Sequence, residues 1–477
     1  MSIIRKLASD TAIYGIPSIV GRFINFILIF FFAAYFTPEL LAPQVEFYAY
    51  AAFFFVVLPH GMETAFFNFS RERSRYKDVF ATALISVGVV VLFFLLGMMR
   101  NRDDVANFVG YPHQVSYVVW FVFILALDTL KSIPYALLRF LNKSRKFAAV
   151  KSIGILTNVG LNIFFIVYYP DIADIERSIE YVFIANLIAS SLELILLSNE
   201  IWTHYGKPNF SIWKQMIGYS WPLIILGFAG MVNETFDRIS MNQLLPEASA
   251  KYEIGVYGTF YRLSMIMTIF IQAFRYAAEP LFFDQADQKD AKVAYVAIMN
   301  WFVFACGFIF LITSLFSDEI AHLLIKQSTY FDHPDALTIV PILLLANLFL
   351  GIFYNLSIWY KLNNKTKLGA GISLLGAGIT IFLLYVYVPQ YGFKAAAYTT
   401  LIVYFIMTLI SYSIGRYYYP VPYNIIEIIG LLIMAIGFYI LSENLSFKGW
   451  YNILLNIVLL VTYITIGYTL IVRIRKS

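Results

Sequence analysis

Fourteen separate stretches of the chain are each apolar for roughly the length of a helix that crosses a bilayer, and this pattern leaves few folds open. A hydrocarbon core about 30 Å thick takes roughly 20 mostly apolar residues per helix. The first seven stretches span residues 9–36, 46–69, 79–99, 115–138, 149–169, 178–198 and 215–245. The second seven span 252–283, 297–316, 338–362, 368–388, 395–414, 425–441 and 450–471. Each is continuous and too long for the alternating segments of a transmembrane barrel. Charged residues make up 13% of the 477, about half the roughly 25% of a soluble domain, so a water-facing surface is excluded. The expected fold is an all-α polytopic membrane protein with fourteen transmembrane helices. The first stretch is longer than the about 7–15-residue apolar region of a signal peptide, and is read as a retained helix.

The positions of the basic residues test the count. With the N-terminus in the cytoplasm and the helices alternating, 22 of the 34 Lys and Arg fall on the inner side and 7 on the outer side. Such an excess is the positive-inside pattern, and a miscount by one helix would scramble it. It places both termini in the cytoplasm. Cys306 stands alone in an apolar run and reads as a small hydrophobe. No pair of the five histidines has metal-site spacing, so no cofactor is expected.

An internal repeat divides the chain. Tyr14-Gly-Ile-Pro17 opens the first helix and Tyr219-Ser-Trp-Pro222 the seventh, and Phe47-Tyr48 and Val256-Tyr257 open the second and eighth. Both copies start on the same side, as in transporters built from parallel repeats. The reading is two pseudo-symmetric six-helix lobes plus two C-terminal helices. The N-lobe covers 1–198, a cytoplasmic linker 199–214, the C-lobe 215–414 and helices thirteen and fourteen 415–477.

Charges inside the bilayer are costly and usually mark a pathway or an internal lock. The basic set is Arg22, Lys131, Arg238, Arg262 and Arg275, and the acidic set Glu63, Asp128, Glu193, Glu234, Asp237 and Glu279. Asp128 and Lys131 share a helix face, as do Asn233, Glu234, Asp237 and Arg238, because i, i+3 and i+4 positions are neighbours. By depth, Arg22 could pair with Glu63. Structural locking competes with a direct role for Asp128–Lys131 and Glu234–Arg238. An arginine-lined cavity suits a phosphate-bearing anion, because guanidinium grips phosphate with forked hydrogen bonds. Arg22, Arg238, Arg262 and Arg275 are therefore candidate substrate-binding residues. Tyr257 and Tyr261 are candidates for stacking on sugar rings, although interface belts account for most tyrosines. Glu63, Asp128, Lys131, Glu234 and Asp237 are candidates for gating or for proton or sodium coupling. The sequence has no Walker motif, nucleophile elbow or HExxH.

Several segments resemble one family. The run Lys6-Leu-Ala-Ser-Asp-Thr-Ala-Ile-Tyr14 through Gly21-Arg22 is similar to the opening of O-antigen and capsule flippases. So are Gly61-Met-Glu-Thr-Ala-Phe-Phe67, Phe236-Asp-Arg238, and Gly255-Val-Tyr257 with Tyr261-Arg262. These are the polysaccharide flippases of the multidrug/oligosaccharidyl-lipid/polysaccharide exporter superfamily. The resemblance implies transfer of an undecaprenyl-pyrophosphate-linked oligosaccharide from the cytoplasmic to the outer leaflet of a bacterial inner membrane by alternating access. By that analogy Arg22 and Arg262 match cavity arginines, and Arg238 matches the basic residue of the seventh helix. The last two helices resemble the lipid-tail groove of the peptidoglycan-precursor flippase. Expected partners are the lipid-linked substrate, membrane lipids and other polysaccharide assembly proteins, and not nucleic acid. Two rival readings are a cation-coupled multidrug antiporter of the same superfamily and a membrane polysaccharide polymerase or ligase. The short outer loops argue against the enzyme.

Overall fold

A computed structural model describes residues 21, 23–24, 26–168, 178–285, 291–363, 365–445, 447 and 449–474. The opening motif through Tyr14 and the candidate Arg22 lie outside these residues, as does the side chain of Glu279. Twelve helices among the described residues are long and apolar enough to cross a membrane. The predicted fourteen reconcile with them at two places. The longest helix, of 53 residues, contains two predicted spans on either side of a kink at Gly392. The first predicted span lies largely outside the described residues, which retain its end as Phe26–Tyr35.

The helices in chain order are α1 (Phe26–Tyr35), α2 (Pro38–Val57), α3 (Met62–Phe69), α4 (Tyr76–Arg100), α5 (Arg102–Val109), α6 (Val115–Phe140), α7 (Ser144–Ile163), α8 (Ser178–His204) and α9 (Phe210–Leu244). Then follow α10 (Glu247–Gln285), α11 (Ala291–Leu315), α12 (Ser317–Leu324), α13 (Ile339–Leu356), α14 (Ile358–Leu362), α15 (Thr366–Tyr418), α16 (Ile425–Leu445) and α17 (Trp450–Ile474). The contacts divide the chain into two units, 1–28 with 39–243, and 29–38 with 244–477. The helix α9, whose opening motif parallels that of the first predicted helix, groups with the first unit.

In the first unit, the second predicted span is broken. Pro59, which has no backbone N–H to donate, precedes His60 and Gly61, and both of these adopt positive φ (38° and 72°). His60 is buried, and its hydrogen bonds fix its tautomer. The Nδ1–H donates to the Leu58 carbonyl at 2.8 Å, because a carbonyl can only accept. Nε2 therefore accepts from the Ser86 hydroxyl at 2.8 Å, and Ser86 in turn accepts the Trp213 indole N–H at 2.9 Å. This chain ties the break to α4 and α9 and satisfies polar groups that would be expensive to leave unpaired in hydrocarbon. On the α3 side of the break, Met62, Phe66, Phe80, Val87, Ile133 and Met216 form a continuous core from α3, α4, α6 and α9.

In the second unit, α15 turns at Gly392, whose φ of 58° and ψ of −148° lie in a region open essentially to glycine alone. The Glu253 carboxylate of α10 fills the kink and accepts the Phe393 N–H at 3.2 Å. It thereby caps the new helix start, where an anion is favoured. Replacing Gly392 with Ala would add backbone strain and push a Cβ into that carboxylate. We therefore expect Gly392→Ala to lower stability by about 2–3 kcal/mol and Glu253→Ala by about 1 kcal/mol, read as thermal unfolding in detergent. An unchanged melting temperature for Glu253→Ala would refute the capping role.

Another close approach fixes α10. A Cβ on Gly255 would collide with the backbone carbonyl of Pro38, which cannot swing aside as a side-chain tip can. Tyr330, fully buried, donates its hydroxyl to the Phe36 carbonyl at 3.0 Å and secures the same chain segment. We expect Gly255→Val to abolish a folded, monodisperse protein on size-exclusion chromatography. Gly230→Ala on α9, where an added Cβ meets nothing within 4 Å, should be tolerated.

The C-terminal pair is anchored on α11. Asn456 of α17 accepts from the Ser442 hydroxyl at 2.6 Å and donates to the Leu315 carbonyl at 2.8 Å. The Tyr463 ring stacks on Phe304, and its hydroxyl donates to the Phe304 carbonyl at 3.2 Å. The outward faces of α15, α16 and α17 carry exposed Phe382, Ile433 and Val461. In water such faces would aggregate; against lipid tails they match their solvent.

Candidate functional site

The densest buried charge in the first unit lies between α6, α7 and α8. On α6, Asp128 and Lys131 pair at 2.7 Å across one turn, as their spacing predicts. The structure adds Glu193 of α8, also 2.7 Å from the Lys131 ammonium. Ser190 accepts an ammonium hydrogen at 3.1 Å and donates its own to Asp128 at 2.6 Å. The ammonium thus sits among two carboxylates and a hydroxyl, and close pairing is the condition under which a buried ion group is tolerable. A Cβ on Gly154 of α7 would land in the Glu193 carboxyl group, so the α7 backbone closes the third side. Just beyond it the Lys151 ammonium lies 5.2 Å from the Tyr135 ring centre, a cation–π distance. Two carboxylates against one ammonium carry one formal negative charge when both are ionised.

Glu63, at the start of α3, is paired with Arg139 of α6. The depth match that suggests Arg22 as its partner misses Arg139, because that residue sits past the end of the predicted fourth span, in what reads as loop. On α9, Asn233, Asp237 and Arg238 are buried and Glu234 is exposed. The Arg238 guanidinium bonds the Glu234 backbone carbonyl at 2.9 Å and lies 3.4 Å from the Asp237 carboxylate. The polar stripe read from the sequence is thus a stripe, and its arginine is engaged on its own helix.

In the second unit, Tyr257 is fully buried, with its ring 5.7 Å from Tyr261 and 6.3 Å from Phe393. Tyr261 and Arg262 are half-buried. Arg275 lies over the Tyr354 ring of α13 at 4.2 Å. Thirteen residues at about 100° each put Arg262 and Arg275 some 140° apart around α10 and about 20 Å apart along it. They cannot grip one phosphate together.

Sequence reasoning misses Glu46. It stands at the start of a predicted span, where an acid raises no question, yet it is fully buried and accepts the Tyr111 hydroxyl. Burial, and then the Glu46 carboxylate, push the Tyr111 pKa well above its ordinary value, so the phenol stays a donor. No pattern of spacing distinguishes such a residue from an interfacial acid. Among the described residues, no group of three or more His, Cys, Asp or Glu could hold a metal ion.

This arrangement of helices occurs in solved structures. The chain superposes on the lipid II flippase MurJ in an inward closed conformation with a TM-score of 0.76 at 16% identity, covering 96% of this chain and 99% of that one. The fold is that of MurJ and the MATE transporters. A multidrug resistance MATE family transporter of the MOP superfamily, in an inward-facing conformation, gives a TM-score of 0.66 at 12% identity, covering 85% of this chain and 94% of that one. The Vibrio cholerae MATE transporter VcmN in its bent form gives 0.53 at 15% identity, covering 87% and 97%. No family model and no curated protein sequence matches the chain.

Proposed function

We propose that this multi-pass membrane protein is a flippase. In this reading it moves a polyprenyl-pyrophosphate-linked oligosaccharide from the cytoplasmic to the outer leaflet for surface polysaccharide, such as O-antigen, by alternating access between lobes 1–198 and 215–414. The observation that carries it is the mutual coverage with the lipid II flippase, 96% and 99%. The two MATE structures cover 85% and 87% of this chain. The anchored α16 and α17 are what a twelve-helix exporter would not need. The short flippase-like motifs and the intramembrane arginines support the same reading. Arg22, Arg238 and Arg262 would bind the pyrophosphate, with Tyr261, backed by the buried Tyr257, shaping the sugar path. Arg275, about 20 Å further along α10, would serve the path rather than the pyrophosphate. Glu63, Asp128, Lys131, Glu234 and Asp237 would gate or couple protons or sodium. Binding energy must differ between the two open states for such a cycle to turn. The basic-residue count supports an orientation with both termini in the cytoplasm, and the resemblance a bacterial inner-membrane location.

The deciding experiment is reconstitution. Proteoliposomes containing the protein should make a fluorescent lipid-linked oligosaccharide on the inner leaflet accessible to an external quencher, and should not accumulate ethidium. Ethidium transport without oligosaccharide flipping would favour the multidrug reading. Formation of a new glycosidic bond would favour the polymerase or ligase.

A further inference from the structure

The first unit has a second concave feature, separate from its buried charges. Residues of α4, α6 and α8 line an open groove of about 720 Å³. Its walls include Ile85, Gly88 and Leu92 of α4, Leu127 of α6, and Ile195 and Trp202 of α8. Two serines also line it, but Ser191 donates to the Leu187 carbonyl at 2.8 Å and Ser198 to the Ile195 carbonyl at 2.7 Å. Their hydroxyl hydrogens are spent on their own helix, so the wall donates no hydrogen bond to an occupant. A sugar or a peptide backbone would lose its hydration there without replacement. An alkyl chain fits both the shape and the chemistry.

The foot of the groove is different. Trp202, at the end of α8, is 79% exposed, an amphipathic ring where the apolar wall ends. Beside it the Lys77 ammonium reaches the Thr203 carbonyl at 3.3 Å, and the Lys207 backbone N–H is held by the Asp78 carboxylate at 2.7 Å. Lys143 and Lys146 neutralise Glu200 nearby. Among the described residues the ammonium groups of Lys77 and Lys207 are in no ion pair. This is also the end that the basic-residue count assigns to the cytoplasm, whose leaflet carries the anionic lipids.

We propose that the α4–α6–α8 groove is a binding site for one anionic phospholipid, with an acyl chain along the wall and the phosphate headgroup at Lys77, Lys207 and Trp202. The charge at the foot selects the headgroup. Occupancy of this groove is independent of what the protein transports.

Gly88 makes the test clean. A Cβ added there meets nothing within 4 Å, and Gly88 lines the groove, so Gly88→Phe fills the groove without a clash at the backbone. Gly378→Phe, at an equally open position on α15, is the control. Lys77→Gln with Lys207→Gln removes the headgroup contacts and leaves the wall intact. The purified full chain, measured by native mass spectrometry, should retain one phosphatidylglycerol, and added phosphatidylglycerol should raise its melting temperature more than phosphatidylcholine with the same chains. Gly88→Phe and the double lysine variant should need at least about ten-fold more phosphatidylglycerol for the same shift, the loss of one good charged contact, and Gly378→Phe should match the parent. Equal stabilisation by phosphatidylcholine, unchanged response of both groove variants, or retention of a polyprenyl phosphate or a second protein instead would overturn the assignment.

Discussion

Lys131→Met should be the most damaging single substitution in the first unit, costing about 3–5 kcal/mol as the buried Glu193 and half-buried Asp128 carboxylates lose their cation. The ammonium lies 2.7 Å from Asp128 and from Glu193, and Ser190 completes its shell. Methionine keeps most of the length of the side chain and removes the charge. The cost is not a measure of what the group adds to stability, because replacing all three charged members by neutral ones of similar shape is often close to neutral. We therefore expect Asp128→Asn and Glu193→Gln, added to Lys131→Met, to restore most of the melting temperature in detergent. Function then separates two roles. A mere lock between α6 and α8 predicts that the triple variant transports like the parent. A coupling role predicts a folded triple variant whose transport no longer responds to a pH or sodium gradient. Failure of the triple variant to recover stability would show that the triad is not the self-contained ion group described.

The legibility of each feature in the chain depends on its physical scale. Span number and position follow from the length of apolar runs, a property of the chain alone, and the kink at Gly392 falls between two runs that read as separate helices. The Asp128–Lys131 pair is readable because i and i+3 fix proximity within one helix. Glu193 is visible as an intramembrane acid, but its attachment to Lys131 depends on how α6 and α8 pack, and nothing in the spacing of either helix contains that. The Glu63–Arg139 pair shows the same limit, since counting along helices gives depth and not rotation. His60 is hidden for another reason. It sits beside a proline and a glycine, where a sequence reads as a bend near a helix end, and its buried chain to Ser86 and Trp213 joins three segments far apart in the chain.

Charge reversal at Arg262 carries the largest functional expectation of the flippase reading. The side chain is half-buried on α10, directly after Tyr261. A guanidinium that holds one phosphate through charged hydrogen bonds contributes about 1.5–3 kcal/mol, so Arg262→Gln should slow flipping of a pyrophosphate-linked substrate by roughly 10- to 100-fold at limiting concentration. Arg262→Glu should exceed that loss, because it adds repulsion between two anions to the missing contact. Arg262→Lys keeps the charge but not the planar fork, and should recover only part of the rate. Stability must be read alongside, by melting temperature in detergent, since a folding defect would slow every variant alike. Two comparisons then isolate the phosphate contact. Inorganic pyrophosphate should compete with the substrate for the parent and not for Arg262→Glu. Arg275→Gln should behave differently, because that guanidinium covers the Tyr354 ring and lies about 20 Å further along α10. Its loss should lower the melting temperature with little change in pyrophosphate competition. If Arg262→Glu is folded and flips the substrate at the parental rate, the cation on α10 does not bind the pyrophosphate, and the arginine belongs to the internal packing of the second unit instead.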